Sequence, residues 1–157
     1  MATKFIIVGP NLDEAQVVDG RLQVSAEITT IEEPVCENLT LLASAVRTAY
    51  AESEVQVNER AVGAYVLLDI TGVPGGGETL TLFVDIFQPD GSFTAIFQSA
   101  ALSTTGLRKY LIYPGAVDDN SQLTGLTRLP LPRTWRIRMT PSASGNFTYA
   151  VGGYYLA

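Results

Sequence analysis

Residues 79–98 read TLTLFVDIFQPDGSFTAIFQ, and this stretch decides the fold class. Thr79–Gln88 carries an aliphatic residue at every second position, which is the period of a β-strand that packs on one side. The tight-turn sequence Pro89–Gly91 follows, and Ser92–Gln98 resumes the strand pattern. The stretch therefore predicts a β-hairpin.

The same pattern continues through the rest of the chain. In Arg133–Thr140, the residues Trp135, Ile137 and Met139 share one face. We expect these three to form the core with Leu80, Leu82 and Val84. Further strands are predicted at Val62–Val73, Leu107–Tyr113 and Phe147–Leu156, the last with a bulge at Gly152-Gly153. Strands about ten residues apart, joined by Gly/Pro turns, predict an all-β fold, a β-sandwich or jelly-roll-like domain.

The N-terminal region has a different character. Residues 1–35 hold short apolar pieces between turn residues, which predicts an extended acidic arm with short strands; residues 36–157 then form the sandwich domain. Asp19-Gly20 lies between two apolar pieces and predicts a hairpin. Leu39–Tyr50 fits a helix or a strand, Leu41–Thr48, and we favour the strand because β-branched residues interrupt the helical pattern.

Charge is concentrated at the N-terminal end. The net charge is −6, and residues 1–60 account for all of it, with ten acidic and four basic residues. The acidic region is interpreted as a solubilising surface or as a segment that lies on a basic surface of a neighbouring subunit. Binding to nucleic acid or to an anionic membrane needs clustered Lys and Arg, so the charge pattern argues against both partners.

Targeting signals and disulfides are also not expected. Phe5–Val8 is too short for the apolar core of a signal peptide, and no apolar run approaches the roughly 20 residues that span a bilayer. The single Cys36 cannot form an intrachain disulfide.

Catalytic chemistry is poorly supported by the residue types. The chain has no histidine, which excludes Ser-His-Asp and Cys-His arrangements. Asp69 and Asp85 lie in the middle of predicted strands and could form a catalytic carboxylate pair. The alternative, which we favour, places both on an outer face with Arg136 or Arg138 as cross-strand ion-pair partners. We therefore predict no enzyme activity and no catalytic, cofactor-binding or metal-binding residues.

Two groups of residues are candidates for contacts. The C-terminal tyrosines (Tyr149, Tyr154 and Tyr155) suit an interface or core role better than a sugar-binding platform. The arginines Arg128, Arg133, Arg136 and Arg138 form either a subunit contact or ion pairs within the monomer. The predicted interface residues are Phe5, Ile6, Ile7, Arg133, Arg136, Arg138, Tyr154 and Tyr155.

Three segments carry a resemblance to a known family: Arg108–Gly115, Leu129–Arg138 and Phe147–Gly152. They are similar to a family of small tailed-bacteriophage virion proteins with the pattern YPG … LPRTWRVRV … YSVG. Ala64–Val73 and Thr79–Gln88 match early strands of the same family. The likeness covers about residues 60–157.

The resemblance implies a non-enzymatic structural protein, first of all a head decoration (cement) protein on the capsid exterior. It implies binding to the major capsid protein, self-association as a homotrimer, and assembly in the host cytoplasm. It does not separate head from tail. The alternative is therefore a tail-associated or glycan-binding β-sandwich that contacts the host surface.

Overall fold

The computed structural model describes residues 15–18, 21–24, 38–118 and 122–156. The chain divides into two compact units, residues 1–33 and 34–157. The boundary expected from the sequence, after residue 35, lies two residues beyond this division. Within the described ranges there is no helix long and apolar enough to cross a membrane.

The N-terminal unit contains a two-stranded antiparallel hairpin. Strand β1 (Ala15–Val18) pairs with β2 (Arg21–Val24), and Val18 lies opposite Arg21. Two residues therefore connect the strands, which confirms the hairpin predicted at Asp19-Gly20. The predicted apolar segment Phe5–Val8 and the extended character of the arm fall outside the described residues.

The C-terminal unit consists of two five-stranded sheets, which confirms the predicted all-β sandwich. The first sheet has the order β10-β9-β6-β12-β3, and the second has the order β4-β11-β7-β8 with β5 also paired to β11. Apart from the parallel β10–β9 pair, the described pairings in these sheets are antiparallel. The strands are β3 (Asn38–Arg47), β4 (Ala51–Glu52), β5 (Gln56–Val57), β6 (Gly63–Gly72), β7 (Leu80–Phe87), β8 (Phe93–Gln98), β9 (Gly106–Ile112), β10 (Gly125–Thr127), β11 (Thr134–Pro141) and β12 (Phe147–Leu156).

The longer predicted strands agree with the structure to within a few residues. The predicted hairpin of residues 79–98 is β7–β8, and the ambiguous Leu39–Tyr50 stretch contains strand β3 rather than a helix. β3 is held as a strand because it pairs with β12 along most of its length. The short strands β4, β5 and β10 were not predicted, because two or three residues are too few to show an alternating pattern.

The core lies between the two sheets and contains the predicted residues. Trp135, Ile137 and Met139 are fully buried on β11. Ile137 lies opposite Val84, and Met139 lies opposite Leu82, so β7 and β11 present one continuous apolar layer. The first sheet supplies the facing layer from Ala64, Val66, Leu68, Ile70, Tyr110, Ile112, Tyr149 and Val151.

Strand β12 passes very close to its neighbours near its C-terminal end. A Cβ atom on Gly152 would lie 2.9 Å from the carbonyl oxygen of Leu39, and one on Gly153 would lie 2.1 Å from that of Tyr65. The β12–β3 register shifts between Val151 and Gly152, which confirms the predicted bulge. These positions need glycine because a side chain would push the strands apart.

Strand β3 lies at the edge of the first sheet, and its own Arg47 covers part of that edge. Arg47 donates hydrogen bonds through Nη2 to the carbonyl oxygen of Ala43 at 2.6 Å and through Nη1 to that of Tyr149 at 2.9 Å. Its guanidinium carbon also lies 4.6 Å from the centroid of the Tyr149 ring. The irregular register and the covered carbonyl groups make this edge a poor template for a further strand.

Candidate contact surfaces of the sandwich

The outer side of the second sheet carries a network of charged and aromatic side chains, here named the charged face. Because the odd-numbered residues of β11 point into the core, Arg136 and Arg138 point outwards. Arg136 lies directly opposite Asp85 on β7, and Arg138 lies opposite Glu52 on β4. The charged face comprises Tyr50, Glu52, Phe83, Asp85, Phe93, Arg136 and Arg138.

Asp85 is the centre of this network. The residue is only 1% exposed, and its carboxylate accepts two hydrogen bonds from Arg138, at 2.6 Å from Nε and 2.9 Å from Nη2. Arg136 approaches the same carboxylate to 3.8 Å and lies 2.8 Å from Glu52, which also accepts a hydrogen bond from Tyr50. The hydrogen bonds that Arg138 donates to this carboxylate raise the pKa of its guanidinium above the usual value.

Both arginines also lie over aromatic rings. The guanidinium carbon of Arg138 is 4.0 Å from the centroid of Phe83, and that of Arg136 is 4.0 Å from the centroid of Phe93. Cation–π contacts of this kind attract a partly desolvated cation to the ring face. The charges and rings of the charged face are therefore paired with one another inside one subunit.

The outer side of the first sheet carries a group of largely hydrophobic side chains, here named the apolar face. The inward residues of β6 are fully buried, so Tyr65, Leu67 and Asp69 point outwards between them. Pairing across the sheet brings one row of four outward side chains into register over four strands. This row is Leu126, Leu111, Tyr65 and Tyr154. The apolar face comprises the row together with Leu67, Asp69, Leu107 and Lys109.

The row is centred on a pair of stacked rings. Tyr65 and Tyr154 have centroids 5.3 Å apart and planes 14° apart. Burial raises the pKa of Tyr65 above its ordinary value, although the residue lies on an outward position. Leu107, on the same face, is 49% exposed. The face thus leaves leucine and tyrosine side chains half-buried or exposed.

Two opposite charges stand on the apolar face without an ion-pair partner among the residues that the structure describes. Lys109 lies directly opposite Leu67, and Asp69 is the next outward residue along β6. Asp69 is exposed and Lys109 half-buried, and neither forms an ion pair within the part of the chain that the structure describes. This contrasts with Asp85, whose carboxylate is fully enclosed by arginines.

An open apolar depression of about 270 Å³ lies beside the segment that precedes β11. The flanking Arg128 and Arg133 are exposed, and Arg128 donates a hydrogen bond to the carbonyl oxygen of Ala116 at 3.2 Å. The depression is lined by Ile86, Ile96, Leu129, Pro130 and Pro132.

The predicted interface residues are distributed over several places. Arg136 and Arg138 are engaged within the charged face, which matches the alternative of ion pairs within the monomer. Tyr154 belongs to the apolar face, and Arg133 is exposed near the depression. Tyr155 points inwards, with its ring edge-on to Trp135 at a centroid distance of 6.2 Å. Phe5, Ile6 and Ile7 lie outside the described residues.

The catalytic pairing considered for Asp69 and Asp85 is wrong. Asp69 is on β6 in the first sheet, whereas Asp85 is on β7 in the second. They point to opposite outer sides of the sandwich, and Asp85 is held by Arg138. The placement of Asp85 against both arginines agrees with the favoured ion-pair interpretation, except that its carboxylate is buried rather than solvent-exposed.

Most of the apolar face was not predicted from the sequence. Leu67 and Leu107 were seen only as members of strands, and Tyr65 was not separated from the core residues beside it. The signal was present, because β6 carries large apolar residues at outward as well as inward positions. The described residues contain no cluster of three or more His, Cys, Asp and Glu side chains that could hold a metal ion.

Comparison with known proteins adds no relative to this description. No protein-family model matches the chain, and no curated protein matches it significantly. The likeness to tailed-bacteriophage virion proteins therefore stays an expectation that rests on the motifs alone.

Proposed function

We propose that this chain is a non-enzymatic structural protein of a bacteriophage virion, a decoration (cement) protein that binds the exterior of the head. Its partners are the major capsid protein and further copies of itself, the latter as the homotrimer that the resemblance implies. Its role is to stabilise contacts between neighbouring capsomers. It acts in the assembled particle, after synthesis in the host cytoplasm.

The observation that carries the proposal is the apolar face. An antiparallel sheet that faces water normally alternates apolar residues inside with polar residues outside. Here the outward row Leu126, Leu111, Tyr65 and Tyr154 crosses four strands without a charge. These four side chains are half-buried in the single chain, and apolar side chains that stay partly accessible in one continuous row suit a site of protein contact.

The residues that carry the family likeness lie in the core or beside the apolar depression. Trp135, Ile137, Phe147 and Tyr149 are buried, so these parts of the motifs build the core. The segment Leu129–Pro132 supplies three side chains to the apolar depression. The motifs thus describe a packed sandwich with an apolar recess, which suits a protein that works by surface contact.

The energetics of such a role are favourable. A standard protein interface buries roughly 1,600 Å² in total, and each Å² of apolar surface contributes roughly 25 cal/mol before the costs of association. Because a shell repeats its binding sites many times and copies of the chain can bind together, multivalency increases the attachment further.

The alternative of a glycan-binding module receives less support from the tyrosines. A sugar platform needs an accessible ring face, but Tyr65 and Tyr154 each turn one face to the other. Tyr149 is buried, and Tyr155 packs edge-on against Trp135. The tyrosine geometry therefore suits protein packing better than sugar stacking.

The proposal is tested by binding to phage heads. Purified chain is mixed with expanded heads that lack their decoration protein, and the heads are recovered by sedimentation. We expect saturable binding at a fixed number of copies per head and an increase in the temperature at which the heads disassemble. Heads that already carry their full decoration are the control and should not bind. Failure to bind bare heads, together with specific signals on a glycan array, would replace the proposal with the host-contact alternative.

A further inference from the structure

We propose that the apolar face is the surface through which this chain binds a second copy of itself, sheet against sheet. The inference deepens the contact function proposed above and rests on it. The self-contact that it describes is two-fold, so it is distinct from the three-fold contacts that hold a homotrimer together. It concerns residues that the sequence does not assign to a contact, chiefly Tyr65, Leu67 and Lys109.

The outer side of the first sheet is large enough for a contact between two copies. The first sheet has five strands, and β9 contributes seven residues along its length. At spacings of about 4.8 Å between strands and about 3.3 Å along them, the flat area of the sheet is about 24 Å by about 23 Å. Side chains that stand above this plane add to its accessible surface. The outer side of the sheet, of which the apolar face is a part, therefore approaches the roughly 800 Å² that each partner supplies in a standard interface.

The arrangement of charge on the apolar face also fits a second copy of the chain. A two-fold contact brings the same patch of both copies together, so the patch must be complementary to itself. The apolar face meets this condition, because it carries one carboxylate, Asp69, and one ammonium group, Lys109, and both lack an ion-pair partner among the described residues. In a face-to-face pair, Asp69 of each copy can approach Lys109 of the other. A partner whose surface carries charges of one sign would instead be matched by a face that carries charges of the opposite sign only.

The charged face, on the other outer side of the sandwich, offers less to a second copy than the apolar face does. On the charged face, Arg136 and Arg138 are already paired with Asp85 and Glu52 and stacked on rings. A second copy would gain little there, because these groups would have to give up contacts they already have. The apolar face has two charges that are unpaired within the described ranges, together with half-buried leucine and tyrosine side chains, so it gains from being covered.

The test is a charge exchange on the full-length chain, followed by sedimentation velocity over a range of concentrations. The variants are Asp69→Lys, Lys109→Asp and the double variant that carries both changes. Glu54→Lys is the matched control, since this exposed side chain lies between β4 and β5 and undergoes the same change of charge as Asp69→Lys. Circular dichroism and thermal unfolding establish that each variant is folded.

We expect wild-type chain and Glu54→Lys to self-associate equally. Each single variant places like charges together and should weaken association at least about tenfold. Association should return in the double variant and in an equimolar mixture of the two single variants, because opposite charges then meet again.

A monomeric wild-type chain, or association that the single variants leave unchanged, would overturn the inference. Loss of self-association in the single variants, without its recovery in the mixture, would also overturn the inference, because that result would assign the two charges to another role. The outcome is separable from the proposed function, since a chain that is monomeric alone can still bind bare heads, and a self-associating chain can fail to do so.

Discussion

The two outer faces of the sandwich are built in the same way but carry opposite chemistry. On the second sheet, the outward residues are charged, and they find their partners within the subunit. On the apolar face of the first sheet, the residues are mostly leucine and tyrosine, and the two charges among them have no ion-pair partner within the described residues. The difference between the two faces shows that a concentration of arginines in a sequence does not by itself mark a binding surface.

The physical reason lies in the cost of burying charge. A carboxylate removed from water must be compensated by close opposite charges and hydrogen bonds. Asp85 is buried and therefore fixes Arg138 and, through the network, Arg136. Asp69 is exposed and requires no such partner, which leaves it available to a neighbouring molecule.

The greatest loss of stability should follow from removing the carboxylate of the charged face. Asp85→Ala would leave two arginines packed against the sheet without their central partner. Breaking a buried ion pair by removing one member costs about 3–5 kcal/mol. We expect a loss of this size in the free energy of unfolding, measured by urea denaturation at neutral pH.

The matched control is the same substitution on the other face. Asp69→Ala removes an exposed side chain without an ion-pair partner among the described residues, and should change the unfolding free energy by less than about 0.5 kcal/mol at a concentration where the chain is monomeric. Equal losses in the two variants would show that the two faces do not differ as the structure describes.

A smaller effect is expected at alkaline pH, and it should arise in the first sheet. Among the described residues, the buried tyrosines are Tyr110 and Tyr149, both on strands of the first sheet. Burial raises the pKa of both hydroxyl groups above the ordinary value near 10. The folded state then holds protons that the unfolded state has released, so the stabilisation is present below about pH 10 and is lost as the pH rises through the raised values.

The unfolding free energy should therefore fall with pH above about 10, by at most about 1.4 kcal/mol per pH unit for each tyrosine. The double variant Tyr110→Phe/Tyr149→Phe lacks both titrating hydroxyl groups and should show a shallower decline. Urea unfolding at several pH values between 9 and 11 measures the two slopes. Parallel slopes in the two proteins would mean that alkaline loss of stability arises elsewhere.

The strands and the core could be predicted from the sequence because two-residue alternation is a local signal. Trp135, Ile137 and Met139 were assigned to the core from spacing alone, and all three are fully buried. The hairpin at Pro89–Gly91 was equally visible, because turn residues lie between two alternating runs. These features depend on neighbours in the sequence.

The surfaces could not be predicted because they depend on which strands become neighbours. Nothing in the sequence places Tyr65 beside Tyr154, 89 residues apart, until β6 and β12 are known to pair. In the same way, Asp69 and Asp85 look equivalent as mid-strand carboxylates, yet their strands belong to different sheets. Only the sheet order shows that Asp85 is held by arginines, whereas Asp69 has no arginine ion pair in the part of the chain that the structure describes.

The smallest effect expected is the coupling between the two stacked tyrosines of the apolar face. Tyr65 and Tyr154 lie in register on β6 and β12, and ring pairs of this geometry contribute about 0.5–1.5 kcal/mol beyond the area they bury. A double-mutant cycle with Tyr65→Ala and Tyr154→Ala isolates this term, because each single change removes the stack while the cycle cancels the burial of each ring alone. The unfolding experiments must be done at a concentration where the chain is monomeric, so that contact with a second copy does not contribute. A coupling within this range would show that the apolar face is ordered before a partner arrives, whereas a coupling near zero would mean that its rings become fixed only when a second copy covers them.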